Sequence, residues 1–536
     1  MQKTTKSLLP QELSSHQRTV LLLCAILLIP ALLINLGMLA VIEDEAIRGL
    51  VALEMWYSGD YIAPTINGEP YYNKPPLYNW IILLSYTMLG QVSEFSLRFP
   101  TAVFTLIYGF IVYHLYKSEL GSNAAAAIAL LTITCGRIFF YDSFLGLIDI
   151  CFSMCMFSLM MGTYKLAMEK RWNAMFLFSY GLAAIGFLLK TLPAIVFLGI
   201  SLLVILVAER SFKKFFTIAH ALGVGLFILL VGAYYFAFSM EHDIIALGTR
   251  MLSESSTRTV VKYGIIETIH HFFTFPFEFI FHFLPWTILV IYLFRKDSLS
   301  SIWSHQYIRM NILLLAANVL LYWTSPEIYA RYLLMFPPLL FAPLYYLHQI
   351  NQSENSIHYK IVKIVCYLIV GFICFGCLAS FFIDRISFVP HLFIKGTALL
   401  SLCGLGLYLL LKTQRFDMLH IFLFVIIFRI GFNWFVFPDR NANDYSNLIR
   451  ISAQEVGKKY ADLPLAASNK IGLNRSVSFY LTQKRKKQLF IKDGIPENGL
   501  LITHELEDNC KKIDIIKSRT PTNDYLVLEC KEYKNE

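Results

Sequence analysis

What most constrains this chain is a succession of long apolar runs separated by short basic loops. A helix crossing the hydrocarbon core of a bilayer needs roughly 20 mainly apolar residues. Runs of that kind lie near 19–42, 99–116, 123–141, 144–167, 174–190, 191–208, 215–238, 277–294, 308–323, 332–350, 361–383, 391–411 and 418–437. They predict about thirteen transmembrane helices. Composition agrees: 56% of the 536 residues are hydrophobic and only 15% charged, against roughly 25% charged in soluble proteins. The net charge of +9 is spread over short loops, which reads as membrane topology and argues against a nucleic-acid groove.

Loop charge sets the orientation. Lys3, Lys6 and Arg18 precede the first run, which is too long for a cleaved signal peptide, so the N-terminus is expected in the cytoplasm. The run 76–89 is apolar but short, as interfacial segments often are. If it lies along the outer surface, Lys117, Lys170/Arg171, Arg210/Lys213/Lys214, Arg295/Lys296, Lys360/Lys363 and Lys412/Arg415 all fall on the cytoplasmic side, as the positive-inside rule requires. The outer face then holds loops 43–98 and 239–276 and the tail 438–536.

The tail is polar, with short β-rich runs at Leu489–Ile491, Leu500–Thr503 and Tyr525–Leu528 and a helical pattern near 444–459. The expected architecture is therefore an all-α polytopic membrane domain over 1–437 and a small extracytoplasmic α/β domain over 438–536. Cys510 and Cys530, the two cysteines in polar sequence, are either a disulfide, permitted on that side, or two separate thiols. The remaining cysteines lie in apolar runs, where they behave as small hydrophobes. That includes the Cys374-Phe-Gly-Cys377 pair, despite its redox spacing. Arg429, inside the last span, has no partner evident in sequence.

Ionisable groups at membrane depth are costly and mark function. Here they gather at the outer ends of the spans. Glu43, Asp44 and Glu45 follow the first run directly. Adjacent acids repel, which favours proton acceptance or cation binding, although acids also simply start helices. Lys74 precedes the Pro75-Pro76 pair, where it can either snorkel to headgroups or hold a lipid phosphate.

These residues resemble a known pattern. Asp44-Glu45-Ala46, Ser58-Gly59-Asp60-Tyr61, Asn67-Gly68-Glu69-Pro70-Tyr71 and Lys74-Pro75-Pro76 resemble the first periplasmic loop of the GT-C polyprenyl-phosphate-sugar glycosyltransferases. The likeness is to the lipid A aminoarabinose transferases and to the protein O-mannosyltransferase superfamily. Weaker matches follow at Gly136-Arg137 and Asp142, at Leu189-Lys190-Thr191-Leu192-Pro193 (where the family has Thr-Lys-Gly), and at Ser325–Tyr332 with Arg331. The resemblance implies an integral protein of a bacterial inner membrane. It would transfer a hexosyl or pentosyl sugar, with inversion, from a polyprenyl-phosphate carrier to a lipid A, glycan or protein acceptor. Asp44, Glu45 and Asp142 are then the catalytic candidates. Lys74, Lys190, Arg258 and Arg331 are the candidates for the carrier phosphate.

One departure concerns metal. The aminoarabinose transferases hold zinc through a Glu before the Lys-Pro and a His in the later loop. The corresponding residues here are Asn73 and Ser255, neither of them a normal zinc ligand. No zinc is expected, while a hard divalent cation on the Glu43–Glu45 acids stays open. His270 and His271 are more readily interfacial than metal ligands. No nucleotide is implied, since the chain lacks a Gly-x-x-x-x-Gly-Lys phosphate loop. The rival class is a polytopic transporter or lipid-carrier flippase, but such proteins tend to show repeated halves and midplane charges; no repeat is evident here, and the charges lie at the outer ends with Arg429 as the main exception.

Overall fold

The computed structural model describes residues 12–256, 260–413, 416–492, 499–507 and 510–530. Among these, eight helices are long and apolar enough to cross a membrane, and the protein is an integral membrane protein. The other expected spans are occupied by shorter or broken elements. Pro193–Ala208 and Pro337–Ser353 form helices of 16 and 17 residues. The expected span 277–294 is split: one helix ends at His282, and Pro285 precedes a 3-10 stretch over Trp286–Phe294. Proline lacks an amide donor and cannot continue the preceding helix.

Residues Glu94–Ile133 read as 40 helical residues, interrupted at Gly121 (φ +85°). A straight helix would separate Gly109 from Ile133 by roughly 36 Å. Instead the Ile133 side chain lies 3.2 Å from where a Gly109 Cβ would sit. The chain reverses at Gly121, and the two halves pack antiparallel over 99–116 and 123–133.

Between the first two membrane helices the chain forms a short amphipathic layer. Helix Glu43–Ser58 begins with three acids, favourable at a positive helix terminus, and ends at Gly59 in the left-handed region. A hairpin follows, pairing β1 (Thr65–Ile66) with β2 (Glu69–Pro70). Helix Leu77–Leu89 has 13 residues and stops at Gly90; at roughly 20 Å it is too short to cross a bilayer.

The tail carries a five-stranded sheet of β3 (Leu465–Ser468), β4 (Phe490–Lys492), β5 (Leu500–Thr503), β6 (Cys510–Ile516) and β7 (Tyr525–Cys530), in the order β4-β3-β5-β7-β6. β3 runs parallel to β4 and β5, and the other pairs are antiparallel. The sequence reading finds three of these strands and the helix Tyr445–Lys459, but misses β3, β6 and helix Arg475–Arg485. Cys510 and Cys530 sit opposite each other on β6 and β7 and are disulfide-bonded.

This tail is not a detached appendage. Helix Arg475–Arg485 lies on helix Glu43–Ser58, where Phe479 fills the space a Gly49 Cβ would need. The Val41 amide donates to the Tyr480 hydroxyl (2.8 Å), Ser476 donates to the Val41 carbonyl (2.9 Å), and Arg450 donates to the Met38 carbonyl (2.9 Å). Arg429 also finds its place. Its guanidinium carbon lies 5.2–5.8 Å from the ring centroids of Phe139, Phe140, Phe144, Phe432 and Phe437, and its Nε donates to the Ala31 carbonyl (3.2 Å). Aromatic faces stabilise a desolvated cation.

Candidate functional site

A cavity of about 710 Å³ opens where these layers meet. Its walls come from six places: helix Glu43–Ser58, the hairpin and loop to Lys74, the N-terminus of helix Asp149–Met168, the C-terminus of helix Trp172–Lys190, helix Ile244–Ser256 with Ala246 and Arg250, and the turn at 331–332. The tail closes one side with Arg475 and Ile491. Six cations (Arg48, Lys74, Lys190, Arg250, Arg331, Arg475) and three carboxylates (Asp44, Glu69, Asp149) line it. The excess of positive charge suits an anionic ligand.

The centre is a chain of ion pairs. Lys190 Nζ donates to Asp149 Oδ1 (2.6 Å), with both side chains nearly buried. Arg331 Nη2 donates to Asp44 Oδ2 (2.5 Å), and its Nε lies 3.7 Å from Asp149 Oδ2. Lys190 Nζ also sits 3.7 Å from the Tyr332 ring centroid, and the Arg331 guanidinium 4.3 Å from that of Tyr329. Burial opposes the Arg331 charge, but Asp149 and Asp44 more than offset it, so its pKa is raised. Arg48 donates to the Tyr71 hydroxyl (2.5 Å), while its buried Nη1 meets no acceptor among the described residues.

Local sequence explains this placement. Lys190 is the last residue of its helix, where a cation favours the negative end. Thr191 follows at φ +65°, a conformation that suits glycine and is uncommon for a β-branched residue. The hairpin is held by Glu54, whose buried carboxylate accepts from Thr65 Oγ1 (2.7 Å), Asn67 N (2.5 Å) and Gly68 N (3.2 Å). Burial pushes the Glu54 pKa up, against these hydrogen bonds. Asn67 and Gly68 both take positive φ, as a two-residue hairpin turn demands, and a Cβ on Gly68 would strike the Phe490 ring at 2.4 Å. Asp60 Oδ1 accepts from the Ile62 and Ala63 amides, so the Ser-Gly-Asp motif shapes the loop.

Of the residues singled out in sequence, the structure brings Asp44, Lys74, Lys190 and Arg331 to this cavity. Glu45 points the other way. It is 1% exposed and accepts from Arg98 Nε (2.7 Å), Arg98 Nη2 (2.8 Å) and Gly146 N (2.7 Å), so it braces the core and does not line the site. Asp142 likewise lies outside the lining: buried, it pairs with Arg137 Nε at 2.7 Å. Burial pushes its carboxyl up to about 6, against the pull of Arg137. Arg258 lies outside the described residues.

The sequence reading misses Asp149, Arg48, Arg250 and Arg475. The signal for Asp149 was an acid inside the apolar run 144–167; the helix in fact starts at Asp149, which puts that acid at the membrane edge. Of the two positions weighed for zinc, Asn73 is described, and its Oδ1 accepts from Arg250 Nε (3.3 Å). Asp44 pairs with Arg331 and Glu45 with Arg98, and among the described residues no three His, Cys, Asp or Glu side chains converge. His270 and His271 border a separate hollow of about 200 Å³.

Comparison with known proteins agrees with this architecture. Residues 73–235 match the family model for dolichyl-phosphate-mannose-protein mannosyltransferase. An uncharacterized protein of Aquifex aeolicus is 36% identical over 118 residues, 21% of this chain and 23% of its own length. The undecaprenyl phosphate-alpha-4-amino-4-deoxy-L-arabinose arabinosyl transferase of Edwardsiella ictaluri is 26% identical over 176 residues, 32% of each chain. That of Pseudomonas savastanoi pv. phaseolicola is 35% identical over 101 residues, 19% of this chain and 18% of its own. The chain thus spans between about a fifth and a third of the length of these curated relatives. In fold the likeness is wider. ArnT from Cupriavidus metallidurans, solved bound to undecaprenyl phosphate, superposes with a TM-score of 0.69 at 15% identity, covering 96% of this chain and 98% of that one. Along nearly its whole length the chain therefore shares the fold of the solved ArnT, and its residues 73–235 match the dolichyl-phosphate-mannose-protein mannosyltransferase model.

Proposed function

We propose that this protein transfers a sugar from a polyprenyl-phosphate carrier to a hydroxyl of an extracytoplasmic acceptor, with inversion at the anomeric carbon. The observation that carries the reading is the meeting of Lys190 and Arg331 with Asp44 and Asp149 in one open cavity. In this scheme the carrier phosphate takes the place of carboxylate beside Arg331 and Lys190, and these cations stabilise it as the leaving group. Asp44, released from Arg331, accepts the proton of the attacking hydroxyl. The oxygen bonds to the anomeric carbon as the carbon–phosphate-oxygen bond breaks, and polyprenyl phosphate departs. Asp149 orients Lys190 and Arg331, and Arg48 and Lys74 extend the anion site.

The cavity and the domain from residue 438 onward are assigned to the extracytoplasmic face of a bacterial inner membrane, with the N-terminus in the cytoplasm. The activity for which the arabinosyl transferase relatives are named favours a pentosyl donor, and lipid A, glycan and protein remain the acceptor classes. No step is routed through a metal.

The test is transfer by the purified protein in nanodiscs from a panel of polyprenyl-phosphate sugars. Asp44→Asn should lower kcat roughly 10²–10⁴-fold while carrier binding persists, and Lys190→Met should raise KM for the carrier. Unchanged turnover in Asp44→Asn would remove it as the base. Carrier translocation with no transfer would replace the reading by the transporter one.

A further inference from the structure

A second hollow, of about 370 Å³, lies in the tail and has no part in the site above. Tyr57, Leu465 and Phe490 form its apolar side, and Arg485, Lys486, Lys487 and Lys492 its polar side; among the described residues no carboxylate lines it. Arg485 is the key residue. It is only 5% exposed, and its Nη2 donates to the Leu463 carbonyl (2.8 Å). Among the described residues its Nε and Nη1 have no acceptor, although both atoms are buried. A helix-capping role accounts for the Nη2 bond but leaves the other two nitrogens unexplained. A buried cation without a counter-charge is costly, and burial alone drives the Arg485 pKa down.

The surroundings are arranged about the same point. Helix Arg475–Arg485 ends there, and Lys486 takes φ +55°, turning the chain so that Lys486 and Lys487 also border the hollow. Lys492 reaches it from β4. Alternate residues of a strand face opposite ways: Phe490 and Lys492 line this hollow, while Ile491 between them lines the large cavity. One strand therefore divides the two.

We propose that this hollow is a phosphate-binding site, in which the Arg485 guanidinium turns its two uncommitted nitrogens, Nε and Nη1, out of the protein interior to donate to phosphate oxygens, and Lys486, Lys487 and Lys492 supply the surrounding positive charge. Four cationic side chains, with no acid among the described lining residues, favour a dianionic phosphate monoester or free phosphate over a singly charged ion. The assignment does not depend on the transfer reaction and can stand if that reading fails.

The experiment is thermal unfolding of the full chain in phosphatidylcholine nanodiscs, with inorganic phosphate titrated against chloride at matched ionic strength. Phosphate should raise Tm saturably by about 2 °C or more. Arg485→Gln should abolish the rise, and the exposed Lys487→Glu and Lys492→Glu should each weaken it. The lysine variants keep the test decisive if Arg485→Gln does not fold. A second arm uses nanodiscs containing phosphatidic acid. If the wild type melts higher there and added phosphate does nothing more, a lipid phosphomonoester fills the site. If only dissolved phosphate acts, the ligand is soluble; either result supports the pocket. An equal rise in wild type and all variants, or an equal rise with chloride, would overturn it.

Discussion

Replacing Arg98 with methionine tests whether Glu45 is part of the scaffold or part of the chemistry. Arg98 is 1% exposed and gives all its donors to protein: two to Glu45, and others to the carbonyls of Leu36, Leu39 and Ala40 at 2.8–3.1 Å. Arg98→Met strands a buried carboxylate, and breaking a buried pair from one side costs about 3–5 kcal/mol. Three carbonyls lose a donor as well, which adds to that loss. Glu45→Gln keeps its size and one acceptor oxygen but leaves the buried Arg98 charge unpaired, so about 3–5 kcal/mol should be lost here too. In the double variant no charge is stranded, and its destabilisation should fall short of the sum of the singles by about 2–3 kcal/mol. The assay is a double-mutant cycle by reversible denaturation in mixed micelles, with transfer activity measured on the folded fraction. The scaffold reading expects the folded double variant to turn over within roughly tenfold of wild type, since a positioned acid–base group contributes more than that. A strictly additive cycle, or a stable double variant with no activity, would refute it.

Asp142 gives a pH signature. Its folded pKa of about 6 lies above the ordinary carboxyl value of 3.8, so folding is linked to proton uptake: its contribution improves as pH falls through 6 and is lost as pH rises. Relative to Asp142→Asn, wild type should gain up to about 3 kcal/mol between pH 7 and pH 4, and parallel Tm-versus-pH curves would contradict this. For topology, cysteines introduced at Tyr61 and Lys512, both exposed, should both react with an impermeant thiol reagent applied from outside; labelling at only one would break the shared sidedness of the first loop and tail. For metal, elemental analysis should find no stoichiometric zinc, and zinc-selective chelation should leave activity intact, given that Asn73 and Ser255 stand where the resembled aminoarabinose transferases carry Glu and His. One zinc per chain lost together with activity would defeat that expectation.

Much of this protein is legible one residue after another. Apolar run length assigns it to the membrane, because a bilayer leaves a backbone few alternatives to helix. Pro75-Pro76, Gly59-Asp60 and Asn67-Gly68 mark the loop's turns through their own dihedral preferences, which need no partner. The tertiary structure alone decides which charges meet. Asp44 and Glu45 are neighbours, yet one residue of helix turns a side chain by roughly 100°. One therefore faces the cavity and the other faces Arg98, and only the packing of helix Glu43–Ser58 against its surroundings determines which. Asp149 looks like a stray acid in an apolar run until the start of its helix places it beside Lys190 and Arg331. Arg475 and Ile491 reach the cavity, and Arg485 its own hollow, because the tail folds back over the first loop some 400 residues upstream. Contacts of that range follow from the closing of the whole chain, and local preference does not encode them.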